Sequence, residues 1–148
     1  MVKPIPDGYR TITPYLLVEG VTVLAEYLVN AFGAEEKCRL GRPNGGVMHM
    51  ELRVGDSMIM MGEPNEAFGA MPSSIFLYVE DCDAVYERAI KAGGVSVMPV
   101  TDMRHAGERY GGVKDPTGNI WWIATHVEDL DIDEQKRRIA EMFDSAGS

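Results

Sequence analysis

Two cysteines and three histidines are all the thiols and imidazoles that the sequence offers toward a metal cluster or a disulfide frame. Cys38 and Cys82 stand far apart and neither belongs to a Cys-x-x-Cys pair. The spacing therefore carries no zinc-ribbon or redox signature, and both are expected as small core or half-buried residues. Positive charge is also short: 14 Lys and Arg face 23 Asp and Glu, a formal net charge of −9. That balance argues against non-specific binding to nucleic acid or to an anionic membrane, since both need a basic surface. No apolar run approaches the ~20 residues that span a bilayer. Met1 to Gly8 holds no apolar core of a signal peptide. The expectation is a soluble cytoplasmic protein. No Gly-rich loop opens a helix to cradle a nucleotide, and no serine or threonine sits in a recognisable nucleophile motif.

What is present fits one domain. The chain has 148 residues, enough for a sizeable core, with 45% hydrophobic and 25% charged residues. After a Pro- and Gly-bearing lead-in, Thr11 to Val18 reads as a strand, with Ile12, Leu16 and Val18 on one face and Thr13, Tyr15 and Leu17 on the other. Pro14 implies a strand start or an edge. Val21, Leu24, Ala25, Leu28 and Phe32 recur at helical spacing, and Gly33 stands where a helix should stop. Strands are expected over Glu35–Leu40, Val47–Val54 and Ser57–Met61, the last two joined by a Gly55-Asp56 turn. The order then restarts: a strand from Ser74, a helix from Asp83 to Ala92, a Gly93-Gly94 stop, and strands over Val95–Val100, Glu108–Lys114 and Asn119–Thr125. Asp131-x-x-Glu134 is a capping signal for a closing helix with Ile139, Met142 and Phe143 on one stripe.

The restart is a repeat. At one fixed offset Tyr15 aligns with Phe76, and Leu16, Val18, Glu19, Glu26, Ala31 and Gly33 meet identical residues at Leu77, Val79, Glu80, Glu87, Ala92 and Gly94. The fold class follows as α+β: two βαβββ modules, about 9–65 and about 72–128, in a single domain over 1–130, with a helical tail over 131–148. One helix covers one face of a four-stranded sheet. The other face needs a partner, and two such faces curled together make a half-barrel cleft, the usual home of a small ligand.

The paired modules, the Val79-Glu80-Asp81-Cys82-Asp83 junction and the Asp115-Pro116-Thr117-Gly118-Asn119 turn resemble the vicinal-oxygen-chelate superfamily of glyoxalases, extradiol dioxygenases, and fosfomycin- and bleomycin-resistance proteins. Thr11-Ile12-Thr13-Pro14-Tyr15-Leu16, Ala31-Phe32-Gly33-Ala34, His49-Met50-Glu51 and Trp121-Trp122-Ile123-Ala124-Thr125-His126 are similar to its PhnB-like branch. The resemblance implies a cleft, often completed across a homodimer interface. In the enzymes it implies a divalent metal held by His or Glu from the first and last strands of each module. Here those places read Thr13, Ile59, Ser74 and Trp122, poor ligands for a transition metal. The chain departs from the enzyme pattern, and no cofactor is expected.

Alternation puts Tyr15, Phe76, Tyr78 and Trp122 on the side away from the helices, as aromatic walls suited to planar ligands. The ten methionines, among them Met48, Met50, Met58, Met60 and Met61, read chiefly as core. His49 and Glu51 share a face, as a substrate-contacting polar pair or an unusual metal site. Their face, concave or helix-covered, stays open, because a one-residue slip reverses it. Arg109 is expected on Trp122's face, favouring an anionic ligand, and His126 on the same parity. The leading expectation is therefore a metal-free protein that binds or sequesters a small aromatic or hydrophobic, and by Arg109 anionic, compound. The alternative is an enzyme (a lyase, isomerase or dioxygenase) using His49 and Glu51 or a metal-free acid/base.

Overall fold

Glycines and two carboxylates set where the module helices begin and end. In the computed structural model, which describes residues 1–146, β1 (Tyr15–Leu17) leads into α1 (Val21–Phe32). The helix opens at Gly20, whose φ of 91° suits a residue without a side chain. Its first amides, Gly20 N and Val21 N, donate to the Glu63 carboxylate at 3.2 and 2.9 Å, an anion placed at the positive end of the helix dipole. Gly33 ends it at φ 67°. Three strands follow: β2 (Glu35–Gly41), β3 (Val47–Val54) and β4 (Ser57–Gly62). The second module repeats the order with β5 (Ser74–Tyr78), α2 (Cys82–Lys91), β6 (Val95–Met103), β7 (Glu108–Lys114) and β8 (Ile120–His126). Asp81 caps α2, accepting from Ala84 N at 3.1 Å. The chain closes with α3 (Ile132–Ala146), whose cap is Asp131 accepting from Glu134 N at 2.8 Å, as the capping signal predicts.

The two sheets are ordered β1-β4-β3-β2 and β5-β8-β7-β6. In each the first strand lies parallel to the last, and the other pairings are antiparallel. Tyr15 opposes Met60 in one sheet and Phe76 opposes Trp122 in the other, so the repeated residues occupy repeated places. The fold is the expected α+β pair of βαβββ modules with a C-terminal helix.

One core serves both modules. Leu16, Leu24, Leu28, Met50, Leu52 and Met61 from the first join Cys82, Ala89, Val113, Trp121 and Ile123 from the second. The two module helices are tied directly: the Tyr27 hydroxyl donates to the Ala89 carbonyl at 3.0 Å, and Arg88 Nε donates to the Asn30 carbonyl at 2.6 Å. Burial, reinforced by the charge of Asp115, pushes the Tyr27 phenol up to about 12. Gly94 permits this closeness. A β-carbon there would stand 2.3 Å from Val113 Cγ1 and 2.5 Å from the Tyr27 hydroxyl.

Several expectations are corrected. The first strand is three residues long, not eight, and Ile12 is 85% exposed. β1 ends its sheet, and Pro14 supplies no amide before it, so nothing holds Thr11 to Thr13 in a ladder. Only Met50 and Met61 of the named methionines are core; Met58 and Met60 alternate onto the opposite face, and Met48 is exposed at an irregularity near the start of β3. Both cysteines are free, Cys82 buried and Cys38 half-buried. The tail is held by charge more than by apolar contact. Arg138 bonds Glu128 at 2.8 Å, Glu134 at 2.9 Å and the Arg104 carbonyl at 2.8 Å. Ile139, Met142 and Phe143 stay open to solvent. Among the described residues no helix is long and apolar enough to cross a membrane. The last two residues of the expected tail, 147 and 148, lie outside the described residues.

Candidate functional site

The site is the face of each sheet turned away from the helices. In the second module its register is set by one turn. Asp115 is 4% exposed and accepts from Thr117 N and Oγ1, Asn119 N and Nδ2, and Trp121 Nε1, at 2.7 to 3.2 Å. That knot locks Lys114 opposite Ile120, and every later pair in the β7–β8 ladder follows. Trp121 falls on the helix side, fully buried against Phe32 at a centroid distance of 5.1 Å. Trp122 falls on the outer side.

Rows across the outer face can be read from the register. One row runs Phe76, Trp122, Gly112, Met98; the next runs Tyr78, Ala124, Tyr110, Thr101; the last pairs His126 with Glu108 and Met103. Phe76 lies 5.1 Å from Tyr78 and 5.3 Å from Tyr110, and Tyr110 lies 6.1 Å from Trp122. These separations suit tilted and edge-to-face ring packing. Ala124 is fully buried between the two tyrosines, while Phe76 and Tyr78 remain 44% and 61% exposed. Gly112 leaves room for the indole: a β-carbon there would lie 2.6 Å from Trp122 Cζ3. Trp122 Nε1 donates to Ser74 Oγ at 2.9 Å.

A polar chain closes one end. The Tyr78 hydroxyl donates to Glu108 at 2.7 Å, His126 Nδ1 lies 3.2 Å from the same carboxylate, and His126 Nε2 lies 2.7 Å from Asp129. Glu108's hydrogen bond holds the Tyr78 phenol above its ordinary range. Asp129 first, and Glu108 second, raise the pKa of His126. Because both ring nitrogens face carboxylates, the imidazolium suits the site best. A folded pKa raised above the unfolded ~6.5 gives stability that is present below ~6.5 and lost as pH rises through the folded value. An NMR titration should therefore show His126 titrating above the ordinary histidine range, and Asp129→Asn should bring it down. An unshifted midpoint in the parent protein would refute the tie.

The first module's outer face is different. A row runs Tyr15, Met60, Glu51, Cys38, with His49 one step along β3. His49 Nε2 lies 2.8 Å from Glu51 Oε2, their side chains 18% and 21% exposed, and the Tyr15 ring lies 5.8 Å from the imidazole. The face of this pair, left open by sequence, is the outer one. Each of the two spends one ligating atom on the other. Among the described residues no group of three or more His, Cys, Asp or Glu side chains could hold a metal.

Tyr15, His49 and Glu51 thus share one outer face, and Phe76, Tyr78, Trp122 and His126 share the other. Arg109 does not join them. It opposes Thr125, one residue off the expected parity, and lies on the helix side, where its guanidinium bonds Asp83 of α2 at 2.9 Å and Asp102 at 3.0 Å. Arg109 in turn lowers the pKa of Asp83. The residues that sequence reading overlooks are its neighbours, Tyr110 and Glu108. Counting back from Lys114 opposite Ile120 would have found both. Ile59 is likewise misplaced: it opposes Leu52 in the core, and Met60 is the true counterpart of Trp122. The four places expected to hold a divalent metal are therefore Thr13, Met60, Ser74 and Trp122. An alcohol, a thioether, an alcohol already bonded to an indole, and the indole itself do not fit that ion.

Comparison with known proteins agrees with this architecture. An uncharacterized protein of Mycobacterium bovis, Mb0911c, is 29% identical over 144 residues, covering 90% of this chain and 94% of its own. The crystal structure of TioX from Micromonospora sp. ML1 is similar in fold, with a TM-score of 0.65, 22% identity, and coverage of 82% of this chain and 100% of that one. Protein PA1353 from Pseudomonas aeruginosa gives a TM-score of 0.63 and 25% identity, covering 80% of this chain and 99% of that one. The sequence profile of the Glyoxalase/Bleomycin resistance protein/Dioxygenase superfamily matches residues 16–123. With its two βαβββ modules and the Asp115 turn, the chain belongs to that superfamily.

Proposed function

We propose that this chain is a small-molecule binding protein of the superfamily, PhnB-like in type and cytoplasmic, that takes up a planar aromatic or hydrophobic compound without a resident metal. One observation carries the reading. Four rings, Phe76, Tyr78, Tyr110 and Trp122, stand on an uncovered sheet face, and Trp122 occupies a place where the superfamily's enzymes are expected to present a metal ligand. Rings offered to solvent gain area and stacking energy only when something planar covers them. The expectation of an anionic ligand rested on Arg109, which is spent on Asp83 and Asp102.

The working unit in this proposal is a homodimer. β1 and β5 end their sheets, among the described residues no strand of one sheet pairs with the other, and Tyr15, Phe76 and Tyr78 on the outer faces stay exposed. A second copy's Tyr15–His49–Glu51 face would close the aromatic face into a cleft. The His49–Glu51 pair favours a second reading as an acid/base enzyme, since a carboxylate orienting an imidazole is a general-base arrangement. Titrating chelator-treated protein with 1-naphthylmethanol, followed by tryptophan fluorescence, tests the binding reading. Saturable quenching that is indifferent to chelator is expected. Absence of binding, or binding restored only by added metal, would refute it.

A further inference from the structure

We propose that the Glu108 end of the aromatic face is a subsite for a positive charge, so that the ligand is an aromatic cation, such as an aryl-alkyl ammonium or a quaternised heterocycle. The inference rests on the binding reading and adds the sign of the ligand.

The faces of Phe76, Tyr78, Tyr110 and Trp122 present negative quadrupole, which attracts a cation within about 6 Å. Tyr78 stands beside Glu108, and its proton is already committed to that carboxylate at 2.7 Å. The phenolic oxygen is left to accept from a ligand, not to donate to one. Glu108 itself is secluded, its side chain 11% exposed. A carboxylate so placed is screened far less than one in open water.

The positive groups near the wall do not cancel it. Arg109 adjoins Glu108 in sequence but lies on the other side of the sheet, bonded to Asp83 and Asp102. Lys114 shares the outer parity but ends the opposite row, on the order of 20 Å along β7. Among the described residues His126 is the cation paired with Glu108, and its charge is shared with Asp129, while Arg104 and His105 follow Met103 in the turn and form no ion pair with Glu108. An aryl cation stacked on Trp122 and Tyr110 with its charge toward Glu108 satisfies rings and carboxylate together. An aryl carboxylate in the same pose would set like charges against each other.

The test uses three probes with one ring system: 1-naphthylmethylammonium, 1-naphthylmethanol and 1-naphthoate, titrated into the full chain at low salt by calorimetry. The ammonium should bind at least tenfold more tightly than the alcohol, and the carboxylate most weakly. Raising the salt should shrink the ammonium preference without reversing it. Glu108→Gln keeps an acceptor for Tyr78 but removes the charge, and the ammonium-to-alcohol ratio should fall to about the few-fold preference that the rings alone supply. If the alcohol binds and the ammonium binds no better, or if Glu108→Gln preserves the preference, the charge subsite is wrong and the binding reading stands. If none of the three binds, the binding reading fails and takes this inference with it.

Discussion

Asp115→Ala should cost the fold about 3–5 kcal/mol, the range for breaking a buried, charge-assisted hydrogen-bond network. The carboxylate is 4% exposed and accepts five hydrogen bonds. Alanine leaves Trp121 Nε1 without its acceptor in a dry site and takes one of two acceptors from Asn119 Nδ2; the Asn119 side chain keeps its bonds to Ser73 N and Thr117. The indole of Trp121 belongs to the shared core, so the loss spreads beyond the turn. For a domain of this size each kcal/mol moves the melting temperature by about 2–4 °C, so a drop on the order of 10 °C is expected. Asp115→Asn retains one acceptor oxygen but turns an NH2 toward Trp121 Nε1 and Asn119 Nδ2, or toward Thr117 and Asn119 N if flipped, so it should lose most of the same amount. Urea and thermal unfolding of both variants measure this. A loss under about 1 kcal/mol for the alanine variant would show that the turn does not set the register of β7 and β8.

Trp122→Ala should leave the protein folded and weaken aromatic binding at least tenfold. The indole lies on the outer face, over Gly112 and tied to Ser74 Oγ, and is not part of the buried core. Its removal therefore takes away contact surface for a ligand more than internal packing. Stacking on one aromatic side chain contributes about 0.5–1.5 kcal/mol beyond area burial, and the lost area adds to it, which together reach a tenfold effect. Trp122→Phe should keep most of the affinity, because a ring of similar face remains. Parallel titrations with 1-naphthylmethanol, and near-ultraviolet circular dichroism as a check on folding, decide the matter. An alanine variant that binds as the parent does would show that the aromatic face is not the ligand surface.

Much of the fold was legible because local signals and the repeat agree. Gly33 and Gly94 mark helix ends in both halves, Gly55-Asp56 and Asp115 to Gly118 mark hairpins, and the alternation of Trp121 and Trp122 is correct in both sign and side. Side-of-sheet reasoning failed where a residue had to be counted across a turn. Arg109 and Ile59 each lie one residue from their expected parity, and a slip of one sends a side chain through the sheet. Glu108 and Tyr110 were hidden by the same slip. The short β1 was illegible for a different reason: Thr11 to Thr13 alternate like a strand, but strand pairing needs a neighbour, and only the tertiary fold decides where β4 ends. The His126–Glu108–Tyr78 chain joins three strands and has no signature in any one of them.

In the proposed binding protein, rings form the ligand surface of the second module. The two indoles make it testable in one spectrum, since Trp121 is buried and Trp122 lies on the face. Nitrogen-15 correlation spectra of chelator-treated protein, recorded during addition of 1-naphthylmethanol, should move the Trp122 Nε1–H signal progressively and leave the Trp121 signal nearly still. A stationary Trp122 signal at saturating probe, or a shift that appears only after a divalent metal is restored, would contradict it.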